Sequence, residues 1–370
     1  TKPTAELERW ATLGGSGITS AQKVVTAFLS PNFRAATRLV PAEIPWTNGE
    51  VPAGKVVVRR MWAGVNASDV NFTSGRYFGS PEVATKMLPF EVGFESVGVV
   101  VASANGGLPP GTPVATMTYG GFAEYAMLDA RNLIPVADTS PATVALLTSG
   151  LTASIALEQC ARLRPGMTVL VTAAAGGTGQ FAVQLAKLAQ CHVIATCGSQ
   201  DKAALLTRLG ASRVINYKTE SLKEVLKAEY PKGVDVVYES VGGEMFQNAV
   251  NSLAPKGRLV IIGMMSQYTE NADGSWALKS HKGLPEKLLA KSASLTGFFL
   301  PMYSQHFKRH LARLHALVAT AQIEVAIDPT RFVGLESVSD AVEFLHSGKN
   351  VGKVVVQIAK DLPIIAEARL

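Results

Sequence analysis

The chain has 370 residues, 47% of them hydrophobic and 17% charged, enough apolar content to bury two domain cores and too much for a disordered or fibrous chain. Three cysteines (Cys160, Cys191, Cys197) with no C-x-x-C pair exclude a disulfide framework and a cysteine zinc knot, and point to a reduced, soluble, intracellular protein. The net charge of +6 favours anionic partners such as a phosphorylated cofactor, while the scattered Lys and Arg argue against nucleic acid as a partner.

Residues 1–22 read as an irregular arm around Gly14-Gly15-Ser16-Gly17. Short β-like runs follow at 23–29, 55–62, 97–101, 112–117 and 123–128, punctuated by Pro, Gly and Asn, as in a barrel or sandwich. Residues 141–160, rich in Ala, Leu and Thr, read as a helix. The longest mostly apolar stretch, 144–157, falls short of the roughly 20 residues of a membrane span, so no span is expected. Strand and helix then alternate, with strands at 168–173, 192–196, 214–216, 234–239 and 258–263 and helices at 179–189, 201–209, 222–229 and 245–253. Near-continuous apolar strands in such a succession mean a parallel sheet covered on both faces, so the fold class is α/β. A further strand at 294–300 would lie at an edge and leaves room for a homodimer. The spacing of Phe307, Leu311, Leu314 and Val318 predicts an amphipathic helix over 306–321, and the chain closes on a helix at 341–345 and a strand at 351–358.

The run from Val169 to Gly179 ends in Gly176-Gly177-Thr178-Gly179 where a strand meets a helix, the setting a dinucleotide-binding turn needs. Gly176 and Gly177 leave room for a pyrophosphate, Gly179 lets the helix pack close to the strand, and the helix N-terminus offers its unpaired N–H groups to the anion. Ala174 stands where a strict G-x-G-x-x-G has its first glycine. The next strand ends Ala195-Thr-Cys-Gly-Ser199, with no acid at its tip to hold a ribose 2′-hydroxyl. Ser199 and Lys202 suit a 2′-phosphate, and Tyr217 adds a hydroxyl, so NADPH (NADP+) is the expected cofactor. Asp201 belongs to the first turn of the following helix, where acids are common.

Four motifs precede that turn in fixed order: Ala63-Gly-Val-Asn-Ala-Ser-Asp69, Gly93-Phe-Glu-Ser-Val-Gly98, Gly120-Gly-Phe-Ala-Glu-Tyr125 and Leu146-Leu-Thr-Ser-Gly-Leu-Thr-Ala-Ser154. Together with it they resemble the medium-chain dehydrogenase/reductase superfamily, in its quinone and enone reductase branch, over residues 23–358. Leu29-Ser-Pro-Asn-Phe-Arg34, the run from Val169 to Phe181, the run from Val234 to Gly243 and Lys291-Ser-Ala-Ser-Leu-Thr-Gly-Phe-Phe299 are similar, more narrowly, to its prostaglandin reductase group. The resemblance implies a GroES-like catalytic domain at 1–145, a Rossmann NADP-binding domain of doubly wound parallel sheet at 146–300, and a return to the catalytic domain at 301–370. It also implies NADPH-dependent reduction of the carbon–carbon double bond of α,β-unsaturated ketones, 15-oxo-prostaglandins among them. NADPH quinone reduction is the alternative enzyme reading, and a cofactor-bound or RNA-associated protein the alternative without catalysis.

Carried over residue by residue, the cofactor contacts are Gly176, Gly177, Thr178, Ser199, Lys202, Tyr217, Ser240, Ile262, Tyr268, Phe298, Phe299, Leu300 and Asn350, with Gly198 interchangeable with Ser199 and Asn66 at the nicotinamide end. The Cys and His that hold zinc in other members correspond to Asn66 and Phe94, so no metal is expected; His306 and His310, one helical turn apart, read as a solvated face. Enolate charge on the substrate then needs hydrogen-bond donors, and Tyr268 and Tyr77 are the candidate catalytic residues. Asp69 and Glu95 read as structural acids. The terminal Ala368-Arg369-Leu370 resembles the S-K-L peroxisomal address, with the cytosol as the alternative.

Overall fold

The computed structural model describes residues 21–42, 51–268, 281 and 283–361; the arm at 1–20 and the tripeptide Ala368-Arg369-Leu370 lie outside them. The chain divides into two compact units, one of residues 1–144, 329–348 and 354–370, the other of residues 145–328 and 349–353.

The first unit is β-rich and GroES-like. Its strands are β1 (Ala21–Thr26), β2 (Thr37–Ala42), β3 (Lys55–Gly64), β4 (Phe90–Glu91), β5 (Glu95–Ser103), β6 (Pro113–Thr116), β7 (Tyr125–Asp129) and β8 (Leu133–Pro135). A small antiparallel sheet runs β2-β1-β4. A larger one runs from the late strand Val355–Gln357 through β3, β5 and β6 to β8, with β7 also paired to β3. Alternation sets its faces: Val56, Val58, Val100 and Val114 join Leu108 and Leu133 in one core cluster, while Val57 and Val101 pack with Ala21 in another. The sequence reading found no β2. That strand carries Arg38 and Pro41 and lies at the sheet edge, where proline is tolerated and the apolar pattern is weakest.

The second unit is Rossmann-like. Six parallel strands, β9 (Thr168–Val171), β10 (His192–Cys197), β11 (Arg213–Asn216), β12 (Val234–Glu239), β13 (Leu253–Ile261) and β14 (Ser294–Gly297), lie in the order β11-β10-β9-β12-β13-β14. The order reverses direction beside β9, so ligands belong at the carboxyl ends of β9 and its neighbours. Leu170, Ile194, Ile215, Val237, Phe246 and Leu259 share one buried cluster under the helices of one face.

The second unit runs past residue 300, to Asp328, and takes in residues 349–353. Side-chain amides hold it there. Gln180 donates to the Ala326 carbonyl at 2.9 Å and accepts from the Ala326 N–H at 2.6 Å, and Gln184 makes the same pair of bonds to Glu324 at 3.0 and 2.8 Å. Lys353 N–H then donates to the Ala326 carbonyl at 2.9 Å. The helix Phe307–Ala319 buries Leu311 and Leu314, and also His310, which is 1% exposed with Nδ1 2.7 Å from Ser154 Oγ. His310 is therefore part of the core and not of a solvated face; Arg309 donates to its Nε2 at 2.9 Å, so the ring is neutral with its proton on Nδ1. Burial pushes its pKa down in the same sense.

The helix Pro141–Ala161 has 21 residues, and its most apolar 18-residue window has a mean hydropathy of 1.3, which by length and composition alone would suit a membrane span. The helix runs four residues beyond the apolar stretch that ends at Leu157. Its most apolar window is 78% buried, as in a core helix of a folded domain.

Candidate functional site

The glycine-rich turn follows β9 directly. Ala173 takes a φ of 48°, and its carbonyl accepts the Gly176 N–H at 3.0 Å. A Cβ on Gly179 would stand 2.5 Å from the Ala173 oxygen and 2.6 Å from Ala174 Cα, so only glycine lets the helix Gly179–Leu188 start this close to the strand. At Gly176 a Cβ would meet one atom, the Ala173 oxygen at 3.3 Å, and that side of the turn is open for a phosphate. Gly177 serves a different purpose: its Cβ would fall 2.9 Å from Ser149 Oγ and 3.1 Å from Lys353 Cδ, so its smallness accommodates packing. The segment 349–353 closes on the turn through a parallel bridge between Gly176 and Gly352, with the Gly352 N–H donating to Ala175 at 2.8 Å. Asn350 is buried there, donating to the Gly352 carbonyl at 2.9 Å. Thr178 precedes the helix, and Tyr238 is fully buried beside it.

The carboxyl end of β10 gathers the groups expected for a 2′-phosphate. Ser199 caps the helix Gln200–Arg208, accepting the Lys202 N–H at 3.4 Å, while its own hydroxyl proton remains available. Tyr217 is 48% exposed, and its hydroxyl lies 2.5 Å from where a Cβ on Gly198 would be, so glycine at 198 brings the phenol over the strand end. Lys202 is half-buried, and burial, helped by Lys218 and opposed by Cys197 and Asp328, pushes its pKa below the ordinary lysine range. Lys218 was missed by sequence reading: its side chain joins the cluster only through the turn after β11. Two lysines, a phenol and a serine with no acid at the strand tip fit a phosphate monoester and not a bare ribose hydroxyl.

At the end of β12, Glu239 is fully buried and accepts N–H groups from Val241 at 2.9 Å and Gly242 at 3.0 Å, and the Thr172 hydroxyl at 3.3 Å. Burial pushes its pKa up, against the pull of those bonds. Thr172 in turn accepts the Ser240 N–H at 2.8 Å. Ser240 is 8% exposed, and its Oγ has no hydrogen-bond partner among the described residues, an orphan buried hydroxyl that a bound ligand would satisfy. Ile262 follows β13 and Phe298 follows β14, side by side, with the Phe298 N–H donating to Ile261 at 2.9 Å. The Phe298 ring is turned onto Tyr303 at 4.6 Å, Phe299 is exposed, and Leu300 is buried. Tyr268 bends back over the end of β13, its hydroxyl accepting the Met264 N–H at 3.2 Å.

In the first unit, Asn66 donates from Nδ2 to Glu95 Oε1 at 2.9 Å, and its N–H donates to Asp69 Oδ2 at 2.9 Å. Glu95 and Asp69 are both buried, so they hold the loop that presents Asn66. Phe94 sits edge-on to Tyr119 at 5.5 Å, and Tyr119 lies flat on Phe72 at 3.7 Å. Tyr77 is exposed and accepts from Asn71 Nδ2 at 3.2 Å. Among the described residues no three His, Cys, Asp or Glu side chains are grouped to hold a metal ion.

Family models match two stretches: an alcohol dehydrogenase GroES-like domain at residues 52–138 and a zinc-binding dehydrogenase at residues 177–316. Prostaglandin reductase-3 of Mus musculus is 47% identical over 91% of this chain and 89% of its own length. A probable quinone oxidoreductase of Leishmania amazonensis is 45% identical over 91% of this chain and 98% of its own. Among solved structures, a mycobacterial protein in complex with NADPH superposes with a TM-score of 0.76 at 28% identity, over 92% of this chain and all of that one.

Proposed function

The chain belongs to the medium-chain dehydrogenase/reductase superfamily, in its quinone and enone reductase branch, and we propose that it uses NADPH to reduce the carbon–carbon double bond of α,β-unsaturated ketones, 15-oxo-prostaglandins included. The observation that carries the reaction is the 47% identity to a prostaglandin reductase over 91% of the chain, on a fold whose nucleotide end suits NADPH. Bound NADPH supplies a hydride for the carbon β to the ketone. The chain does the rest. Gly176 and the first N–H groups of the helix Gly179–Leu188 receive the pyrophosphate, Lys202, Lys218 and Tyr217 hold the 2′-phosphate, and Ser240 and Asn350 flank the turn between them.

As the double bond is reduced, negative charge gathers on the ketone oxygen, and a preorganised donor lowers that barrier. Tyr268 fills this role, because the N–H it accepts from Met264 polarises its own O–H and strengthens it as a donor. Tyr77, in the first unit, accepts from Asn71 in the same way and is the alternative candidate for the donor. Asn66, fixed between Asp69 and Glu95, positions the reacting end and takes no part in proton transfer.

With deuterated NADPH the label is expected on the β carbon of a saturated ketone; an alcohol with its double bond intact overturns the reading, and turnover of quinones alone moves the chain to the quinone reductase alternative. Tyr268→Phe is expected to lower kcat by roughly 10²-fold with KM little changed, as for loss of a donor used in the transition state. The tripeptide Ala368-Arg369-Leu370 supports a peroxisomal location. A fluorescent fusion with those residues at its free C-terminus is expected in peroxisomes and one lacking them in the cytosol; diffuse signal from both ends that proposal.

A further inference from the structure

We propose that Tyr119 is a specificity residue of the first unit, an aromatic shelf that favours enones whose double bond is conjugated to a planar ring over straight-chain enones. The proposal rests on the enone reductase reading and names the substrate class within it.

The shelf is built and backed. Phe72 is 6% exposed and held by Phe78 at 5.0 Å and Phe90 at 4.9 Å. Tyr119 lies on Phe72 with ring centroids 3.7 Å apart and planes 8° apart, so one face of the phenol ring is fully used. Phe94 meets it edge-on, at 5.5 Å and 60°. Yet Tyr119 remains 41% exposed, and an aromatic ring held against a rigid cluster with that much of its surface open offers stacking area.

Its neighbours in the first unit are the residues that the family resemblance assigns to the reacting end. By the resemblance, Phe94 and Asn66 correspond to metal ligands of other members, and Asp69, which fixes the Asn66 backbone, also acts on Tyr119. Burial first, and the Asp69 charge second, push the phenol pKa up to about 12, so the ring is neutral wherever the enzyme works. The hydroxyl makes no hydrogen bond to any described residue, so nothing ties the ring to a purely structural polar role. A straight-chain enone offers such a face only a few methylenes, whereas an aryl enone offers an extended π system at offset-stacking distance.

The test is equilibrium binding to the NADP+ complex, in which no reduction can occur, with benzylideneacetone against a straight-chain enone of equal carbon number, read by tryptophan fluorescence. The native chain is expected to bind the aryl enone about tenfold more tightly. Tyr119→Leu should weaken aryl binding about tenfold and the straight chain by less than about twofold, while Tyr119→Phe, which keeps the ring, leaves both unchanged. Tyr119→His, a smaller flat ring, should give an intermediate preference, and carries the test if the leucine variant fails to bind NADP+. Equal loss for both ligands, or loss of aryl binding in Tyr119→Phe, overturns the shelf. Aryl preference in a protein that reduces no enone would sink the enone reading and leave the shelf standing; enone reduction without aryl preference would do the reverse.

Discussion

Gly179→Val is expected to destabilise the second unit by about 3 kcal/mol, the upper end for overpacking, and to abolish NADPH binding. A Cβ at 179 would lie 2.5 Å from the Ala173 oxygen and 2.6 Å from both the Ala174 Cα and oxygen, and all three are backbone atoms that no rotamer change can move. The turn cannot retreat. Its Ala174 N–H donates to Thr196 at 3.1 Å, its Ala175 carbonyl accepts from Gly352 at 2.8 Å, and Ala173 is already at a positive φ of 48°. Nor can the helix back away, because Gln180 and Gln184 clamp its other side to residues 324–326. Gly176→Ala is the contrasting variant. Its Cβ meets only the Ala173 oxygen at 3.3 Å, so the melting temperature should hold while NADPH affinity drops, since the added methyl occupies the phosphate's approach. Thermal melts and NADPH fluorescence titration read both; a folded Gly179→Val protein that still binds NADPH would refute the account of the turn.

That contrast shows what the sequence carried and what it did not. Strands buried on both faces write themselves as apolar runs, so the run at 234–239 was legible and coincides with β12, and the glycine-rich turn was legible because backbone must approach backbone. An edge strand has no such signature, and β2, with Arg38 and Pro41, passed unread. The limit of the second unit was hidden for another reason. Gln180 and Gln184 look like solvent-facing helix residues, and only their backbone partners at Glu324 and Ala326 reveal a clamp. His310 was misread likewise: a histidine flanked by Arg309 suggests water, whereas Ser154 receives it inside the core. Lys218 and Tyr119 belong to sites through tertiary placement alone, one beside Lys202 and one on Phe72. Glu239 had a local signal, an acid followed by Val241 and two glycines, since a carboxylate that accepts consecutive backbone N–H groups needs a chain free to turn around it; Gly242 has a φ of 79°.

Lys202→Ala is expected to weaken NADPH binding by roughly 1–3 kcal/mol and leave NADH binding nearly unchanged, the range for a charge-assisted hydrogen bond. The two cofactors differ only at the ribose 2′ position, so the difference isolates that contact. Lys218→Ala should cost less, because Lys218 is exposed and its charge is screened by solvent and salt. The same pair sets a pH dependence whose sign is fixed. Burial first, with the Lys218 charge adding to it, holds the Lys202 pKa down in the cofactor-free protein against the opposite pull of Cys197 and Asp328. A phosphate dianion favours that form and pulls the pKa back up, so on the alkaline side NADPH binding takes up a proton. NADPH affinity should therefore fall as pH rises through the lowered Lys202 pKa, starting earlier than for an ordinary lysine, while NADH affinity stays flat. Lys202→Ala should flatten the early part of the NADPH profile. Calorimetric titrations of both cofactors across alkaline pH read the slope and the proton uptake together. An equal loss of NADPH and NADH affinity in Lys202→Ala, or an alkaline slope untouched by the substitution, would place the 2′-phosphate elsewhere than at the end of β10.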